Sequence, residues 1–505
     1  MCFQLRLTTA SALLLMAGAA AGDIRGSRFG NLYYPDEIAE FDLGFAGARW
    51  RIADADERDL AFGVAEQGRV SVSYVTVGRR CGAFVISSTD GSVTNRLRFA
   101  FLTSRDVRSA QWVGTGLHAG RWYGDDIAFL DLVAAAGIGM VRMCTQWDYM
   151  EPEKGRYRTN PATDRLIDRA NELGIRVNWH FFRKNPVYPN PLDPQAFAAF
   201  CGWVADRYKG KIDLYEIWNE PQNFDFFEHY RKVYDYGCNY SDRRWMRHFV
   251  ELTRAADEEL SKRPGLTVCV GAADWWQVLD GLLESGLARA HNVVTIHPYD
   301  HTRPFPETAP FFADGFGACR DKMASWGGAK RIGITEAGWT TYDASTNATH
   351  AFVGNYPPVT FAEQAQYLVR MFLIARQSEI EFVCQYDFRD DGPRRNYTEH
   401  NFGLLDYQSN PKPSFAAVAF MTRLLGAAVP VGAESTDPKL YRVYRFRRED
   451  GKSVLATWSV RQPCTIPFAE KSAAVYDLFG NRIALPITGD RLLLTERPIY
   501  IETAR

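Results

Sequence analysis

The chain has 505 residues, 46% of them apolar and 24% charged, with a formal net charge of −1. That length exceeds one small core and implies two or three globular domains. A near-zero net charge excludes nucleic acid or an anionic membrane as the main partner, because both require a basic surface.

The N-terminus reads MCFQLRLTTASALLLMAGAAAGD. A single Arg6 precedes an apolar run too short for a membrane span, and Ala19-Ala20-Ala21 supplies small residues for cleavage. Residues 1–22 therefore read as a signal peptide ending near Ala21 or Gly22, the alternative being a short uncleaved anchor. The expected location is secreted or periplasmic.

Residues 23–108 hold the short β-like runs RVSVSYVTV, GAFVISST and RLRFAFLT, separated by Gly, Asp and Asn turn signals. This pattern predicts a small antiparallel β-sandwich. From 109 to 427 the texture alternates. The apolar runs WVGTG, IGMVRMCTQW, IRVNWHFF, IDLYEIWNEP, LTVCVGAA, VVTIHPY, RIGITEAGW and EFVCQYDF are each followed by a helical stretch. SFAAVAFMTRLLG closes the series. Eight β-then-α units predict a closed (β/α)8 TIM barrel, and the Gly-rich phosphate turn of an open doubly wound sheet is missing after the first strand. Residues 428–505 return to β runs such as LYRVYRFRR and SVLATWSV and predict a second small β-sandwich.

The chain has nine cysteines, and no CxxC pair or His/Cys cluster marks a metal site. No metal and no cofactor are expected. Cys144, Cys269 and Cys384 lie in strand-like runs and read as small buried apolar groups. One or two disulfides among Cys201, Cys238 and Cys319 are an open expectation. Asn239, Asn347 and Asn396 begin N-x-S/T triplets.

In a TIM barrel the active site lies where the strands end at their C-terminal side. There the fourth strand ends in Asn219-Glu220 and the seventh in Glu336. Either acid alone reads as a turn residue or a helix-start charge. Two on strands facing one mouth give the paired carboxyls that glycoside hydrolysis requires.

The residues also carry a resemblance. YEIWNEP, VVTIHPY and IGITEAGW, in that order, are similar to the motifs of clan A of the retaining glycoside hydrolases. GMVRMCTQWDYMEPEKGRY before them and NFGLLDYQSNPKPSFAA after them extend the likeness over about 112–425. The chain resembles family 39 most closely, with family 5 and its relatives as competitors. Family 39 holds β-xylosidases, α-L-iduronidases and endo-acting enzymes on bacterial exopolysaccharides. A β-rich domain before the barrel departs from its best-known pattern.

What the resemblance implies is specific. Glu220 is the acid/base, Glu336 the nucleophile, and Asn219 the contact to the sugar 2-hydroxyl. His297 and Tyr299 line the site near the nucleophile, and Arg142 holds the nucleophile's charge. A retaining pair predicts a carboxyl separation of about 5–5.5 Å. The implied partner is an oligo- or polysaccharide, and the oligomeric state is left open.

Further candidates come from the strand ends themselves. His118 and His180 are candidate donors to sugar hydroxyls, or packed histidines at the rim. Trp147 and Trp339 are candidates for stacking on a sugar ring, and Trp275, Trp276, Tyr386 and Asp387 also sit near the mouth. Arg183, Lys184, Arg389, Arg394 and Arg395 suit a uronate carboxylate. Their interleaving with Asp387, Asp390 and Asp391 favours a self-neutralised loop instead. The competing function class is a non-catalytic carbohydrate-binding or scaffold protein on a degenerate barrel, and transglycosylation would use the same residues as hydrolysis.

Overall fold

The computed structural model describes residues 23–106, 109–118, 127–223, 226–233, 239, 241–273, 276–287, 293–299, 305–308, 316–326, 331–345, 356–433, 437 and 439–503. Residues 1–22, where the sequence predicts a signal peptide, and Trp275, Cys238 and Asn347 lie outside the described residues.

The apolar runs of the middle region close into a barrel of eight parallel strands. They are β1 (Ala110–Gly116), β2 (Ile138–Gln146), β3 (Arg176–Phe182), β4 (Leu214–Ile217), β5 (Thr267–Ala273), β6 (Val293–Ile296), β7 (Arg331–Ala337) and β8 (Val383–Gln385). The ring is sealed where β8 pairs β1, with Val383 opposite Val113. A helix follows each strand in turn, over Ile127–Ala135, Pro161–Glu172, Pro194–Arg207, Arg243–Leu260, Trp276–Glu284, Phe316–Ser325, Phe361–Gln377 and Pro413–Leu425.

Local sequence starts several of these helices. Asn160 and Asp193 each precede a proline and accept hydrogen bonds from the first free backbone amides. Thr360 and Glu363 form a reciprocal capping box.

Alternation along the strands gives the barrel interior two layers with different chemistry. Its floor is an apolar cluster of Met140, Leu214, Cys269, Val293, Phe382 and Cys384. Gly114 is required there, since a β-carbon would sit 2.6 Å from the Cys384 sulfur. Two residues further along β2 and β4 come Arg142 and Glu216, at the level of the mouth. Cys201 and Cys319, two of the three cysteines for which disulfides are an open expectation, are free, buried thiols.

Two β-sandwiches flank the barrel. The first, within residues 25–101, packs a three-stranded sheet on a five-stranded one around Phe41, Phe84, Phe99 and Phe101. The second, within residues 429–503, has the same five-plus-three arrangement around Leu455, Ile466, Leu492 and Ile501. The reverse face of its larger sheet joins the barrel core through Tyr444, Phe446, Trp458 and Tyr500. A buried ion pair fastens that junction. Arg370, on the seventh helix, pairs Glu307, and Glu307 also accepts a 2.7 Å hydrogen bond from the Trp458 indole. The two sandwiches touch each other as well, through Arg497 on Asp56 and Asn481 on the backbone of Cys81.

Candidate active site

Strand alternation turns Arg142, Asn178 and Glu216 toward the barrel axis, and they meet there. Arg142 Nε donates to Glu216 at 2.6 Å, and Asn178 and Thr295 donate to the same buried carboxylate at 3.3 and 3.0 Å. The guanidinium also donates from Nη1 to Glu336 Oε1 at 2.6 Å and from Nη2 to Asn219 Oδ1 at 2.7 Å. Burial works against the charge of Arg142, yet Glu216 and Glu336 more than compensate and raise its pKa. A buried cation so bracketed is fixed in position, because each of its bonds is charge-assisted or fully sheltered. With Asn219 Oδ1 occupied by Arg142, its amide NH2 is the part left to serve a ligand.

Glu336 ends β7 and takes a second contact from the Tyr299 hydroxyl, which donates to Oε2 at 3.3 Å. Burial drives the Tyr299 pKa well up, with Glu336 adding to the effect, so the phenol remains a donor. Glu220 lies in a different environment. Its Oε1 is 2.8 Å from His297 Nδ1, and its Oε2 accepts from Asn223 at 3.1 Å. Burial pushes its pKa up to about 7, against the lowering influence of Asn223 and Arg142. His297 is completely buried and is pushed down to about 4 by desolvation. It is therefore neutral at neutral pH, and its other nitrogen lies 3.1 Å from the Thr335 hydroxyl. Carboxylate oxygens of Glu220 and Glu336 and a ring nitrogen of His297 all lie within 4.8 Å of one another.

The chain reaches this geometry through an unusual stretch of backbone. Trp218 and Glu220 both have positive φ, 70° and 41°, a conformation that non-glycine residues adopt rarely and that clusters at functional sites. Trp218 is thereby turned into the helix layer against Phe197 and Phe226, while Glu220 turns to the mouth.

Opposite Glu220, residues after β1 and β8 form a second polar group. His118 Nδ1 lies 3.1 Å from Asp391 and 3.4 Å from Asp387, and the Tyr386 hydroxyl donates to Asp391 at 3.2 Å. Asp391 is held below the usual carboxylate range: its own burial opposes this, but the hydrogen bond and charge of His118 outweigh it. His118, Asp387 and Asp391 bring metal-ligand atom types within 4.8 Å, as do Glu220, His297 and Glu336. Within these groups His118 already bonds Asp391 and His297 already bonds Glu220, while Glu336 Oε2 stands 3.7 Å from His297 Nδ1.

The remaining candidates separate. His180 is buried on β3, two residues beyond Asn178 on the same face and thus nearer the mouth. Trp339 is half-buried, with its ring edge on Tyr367. Trp147 does not stack on a sugar: it is fully buried, stacked on Phe200, with its indole donating to Glu151 at 2.6 Å. It begins a helical turn that rolls the ring away from the mouth and into the helix layer. Arg389 spends its guanidinium on the Tyr407 carbonyl, and Arg395 on Asn401 and the Thr341 carbonyl. Arg394 covers the Tyr397 ring.

Sequence reasoning missed Glu216. Glu216 sits inside an apolar strand run, and only its alternation with Leu214 marks it as facing inward.

Known proteins fit this architecture. The model of the cellulase family, glycosyl hydrolase family 5, matches residues 103–359, just over half of the chain. No curated protein matches the sequence. Among solved structures, a family 39 glycoside hydrolase from the gut symbiont Bacteroides cellulosilyticus WH2 superposes with a TM-score of 0.71 at 20% identity, covering 94% of this chain and 99% of that one. That coverage extends the shared fold beyond the barrel, so a β-rich domain ahead of the barrel is not peculiar to this chain. A glucosidase from Croceicoccus marinus superposes with a TM-score of 0.52 at 12% identity, covering 79% of this chain and 97% of that one. At such identities these likenesses establish the fold. With the matched family model, they make this chain a member of the cellulase family, glycosyl hydrolase family 5, and a glycosidase acting on carbohydrate.

Proposed function

We propose that the chain is a retaining glycoside hydrolase, secreted or periplasmic, that cleaves an oligo- or polysaccharide by double displacement. Glu336 is the nucleophile and Glu220 the acid/base. One observation carries this reading: two carboxyls within 4.8 Å of each other have opposite electrostatic settings. Glu336 lies against a guanidinium and a phenol, the contacts of a group that attacks as a carboxylate. Glu220 is buried, with its pKa pushed up to about 7, so it holds a proton for the leaving oxygen at neutral pH. The short separation suits direct attack, whereas an inverting pair leaves roughly 6.5–9.5 Å for a water.

In the first step Glu336 attacks the anomeric carbon while Glu220 protonates the departing oxygen. In the second, Glu220, now ionised, takes a proton from water as that water displaces Glu336. Neutral His297 orients Glu220 without competing for the proton. Asn219, steadied by Arg142, offers its amide NH2 to the neighbouring sugar hydroxyl, where a hydrogen bond strengthens as charge develops.

The test is digestion of a glycan and aryl-glycoside panel, with the anomer of the freshly released sugar followed by NMR. Retained configuration with wild type and none released by Glu336→Gln supports the reading. An inverted product, or sugar binding without cleavage by either protein, overturns it. Residues 1–22 are proposed as a removable signal, which N-terminal sequencing of the exported protein checks.

A further inference from the structure

The outer face of the first sandwich's five-stranded sheet is only partly covered. Alternation turns Phe84, Ile86, Leu97 and Phe99 into the core and leaves Ala83, Ser87, Arg96 and Ala100 on the other side. Ala83 and Ala100 join the barrel core, where the eighth helix packs on the strand Gly82–Thr89. Beyond them the face stands clear of the barrel and changes character.

Register lines its residues up in rows across four strands. Phe62 faces Arg51, Arg51 faces Ser87, and Ser87 faces Arg96. The row beside it holds Val64, Arg49, Thr89 and Thr94. Phe62 is 82% exposed and Val64 59%, so the apolar end of both rows is open to solvent. Neighbouring strands lie ~4.8 Å apart, which sets Arg51 and Arg96 ~10 Å from each other along the first row. Neither row holds an acid. Arg51 takes Asp59 from outside them at 3.2 Å, whereas Arg49 and Arg96 make no ion pair among the described residues. The first sandwich contains no lysine. Every cation on this face is therefore a guanidinium, whose planar fork matches a carboxylate.

The face also leads to the barrel mouth. At its barrel end a cavity of about 160 Å³ opens between Arg96 and Arg98 on the sheet and Phe361 and Pro413 on the barrel, with Asp54 and Glu57 in its lining. Phe361 and Pro413 begin the seventh and eighth helices, and the helices of such a barrel begin on the side of the mouth. Arg98, 3.5 Å from Asp406, lies 4.2 Å over the Phe361 ring. Arg395, from the loop after β8, lies 5.1 Å from the same ring.

We propose that this face binds an acidic polysaccharide, a chain of uronate sugars, and holds it beside the barrel mouth. Carboxylates meet Arg49, Arg51 and Arg96, sugar hydroxyls meet Ser87, Thr89 and Thr94, and the apolar face of a sugar ring meets Phe62. Charges spaced along a line, with hydroxyls between them and a ring at one end, suit an extended chain rather than a compact anion.

The experiment uses the full chain carrying Glu336→Gln, so that binding is read without cleavage and does not turn on the proposed reaction. Titration calorimetry compares polygalacturonate with the same polymer methyl-esterified, which keeps the backbone and removes the charge. The acid form is expected to bind about tenfold more tightly, with the advantage shrinking as salt rises. Arg49→Ala combined with Arg96→Ala should weaken binding of the acid form about tenfold, and Phe62→Ala about threefold, each with an unchanged melting temperature. Equal affinity for acid and ester, or undiminished binding by either folded variant, overturns the proposal. So does binding of anionic phospholipid vesicles or duplex DNA as tight as that of polygalacturonate, which would make the face a general anion surface.

Discussion

The floor and the mouth of the barrel are built from the same strands and have opposite chemistry. β2 gives Met140 to the floor and Arg142 to the mouth, and β4 gives Leu214 to one and Glu216 to the other. Each pair is two residues apart, one step of the strand's alternation. The floor is held by close contact of apolar groups and has no reason to be chemically particular. The mouth is held by charge-assisted bonds around one buried cation, where removing a partner leaves a charge stranded. Stability and activity should therefore respond differently to substitution in the two layers.

The largest expected effect is at the mouth. Glu336→Gln should lower kcat by about 10^4-fold or more, because the nucleophile is lost. The melting temperature should change little, since Arg142 keeps Glu216 and Asn219. Next comes Glu216→Gln, which leaves Arg142 without its innermost counter-charge. Breaking a buried pair is expected to destabilise by about 3–5 kcal/mol, read by denaturant titration, and kcat should fall with it because Arg142 also positions Glu336. Leu214→Ala tests the floor. It should reduce stability by about 2–4 kcal/mol through lost burial and a cavity, yet leave kcat/KM near wild type well below the melting temperature. If Leu214→Ala impairs kcat as strongly as Glu216→Gln, the two layers are not separable.

A smaller effect concerns pH. Glu220 must be protonated to release the leaving group, so kcat/KM should fall as pH rises through about 7. Asn223 donates to Glu220 Oε2 and favours its ionised form. Asn223→Ala should therefore raise that pKa and move the alkaline limb up by about one unit. A limb that moves down, or not at all, would show that another group sets it.

The barrel was legible because a β-then-α alternation repeated eight times leaves few other topologies. The acids at the ends of β4 and β7 stood out because each interrupts an apolar run where the chain leaves the sheet. Other features were hidden for physical reasons. Glu216 lies within YEI, and periodicity alone does not tell a buried ion pair from a solvated strand face. Trp147 follows β2 at the position of a mouth residue, but one helical turn rotates it into the helix layer. The turn over 398–401 is fixed by side chains from two distant segments, Thr340–Thr341 and Lys412, and such pinning leaves no local signature.

The most direct test of the mouth's chemistry is to trap the covalent intermediate with a 2-deoxy-2-fluoro glycoside that matches a cleaved substrate, then map the label by peptide mass spectrometry. The expected result is one sugar per chain, on the peptide carrying Glu336. A label on the Glu220 peptide, or turnover with no covalent adduct and an inverted product, would contradict it.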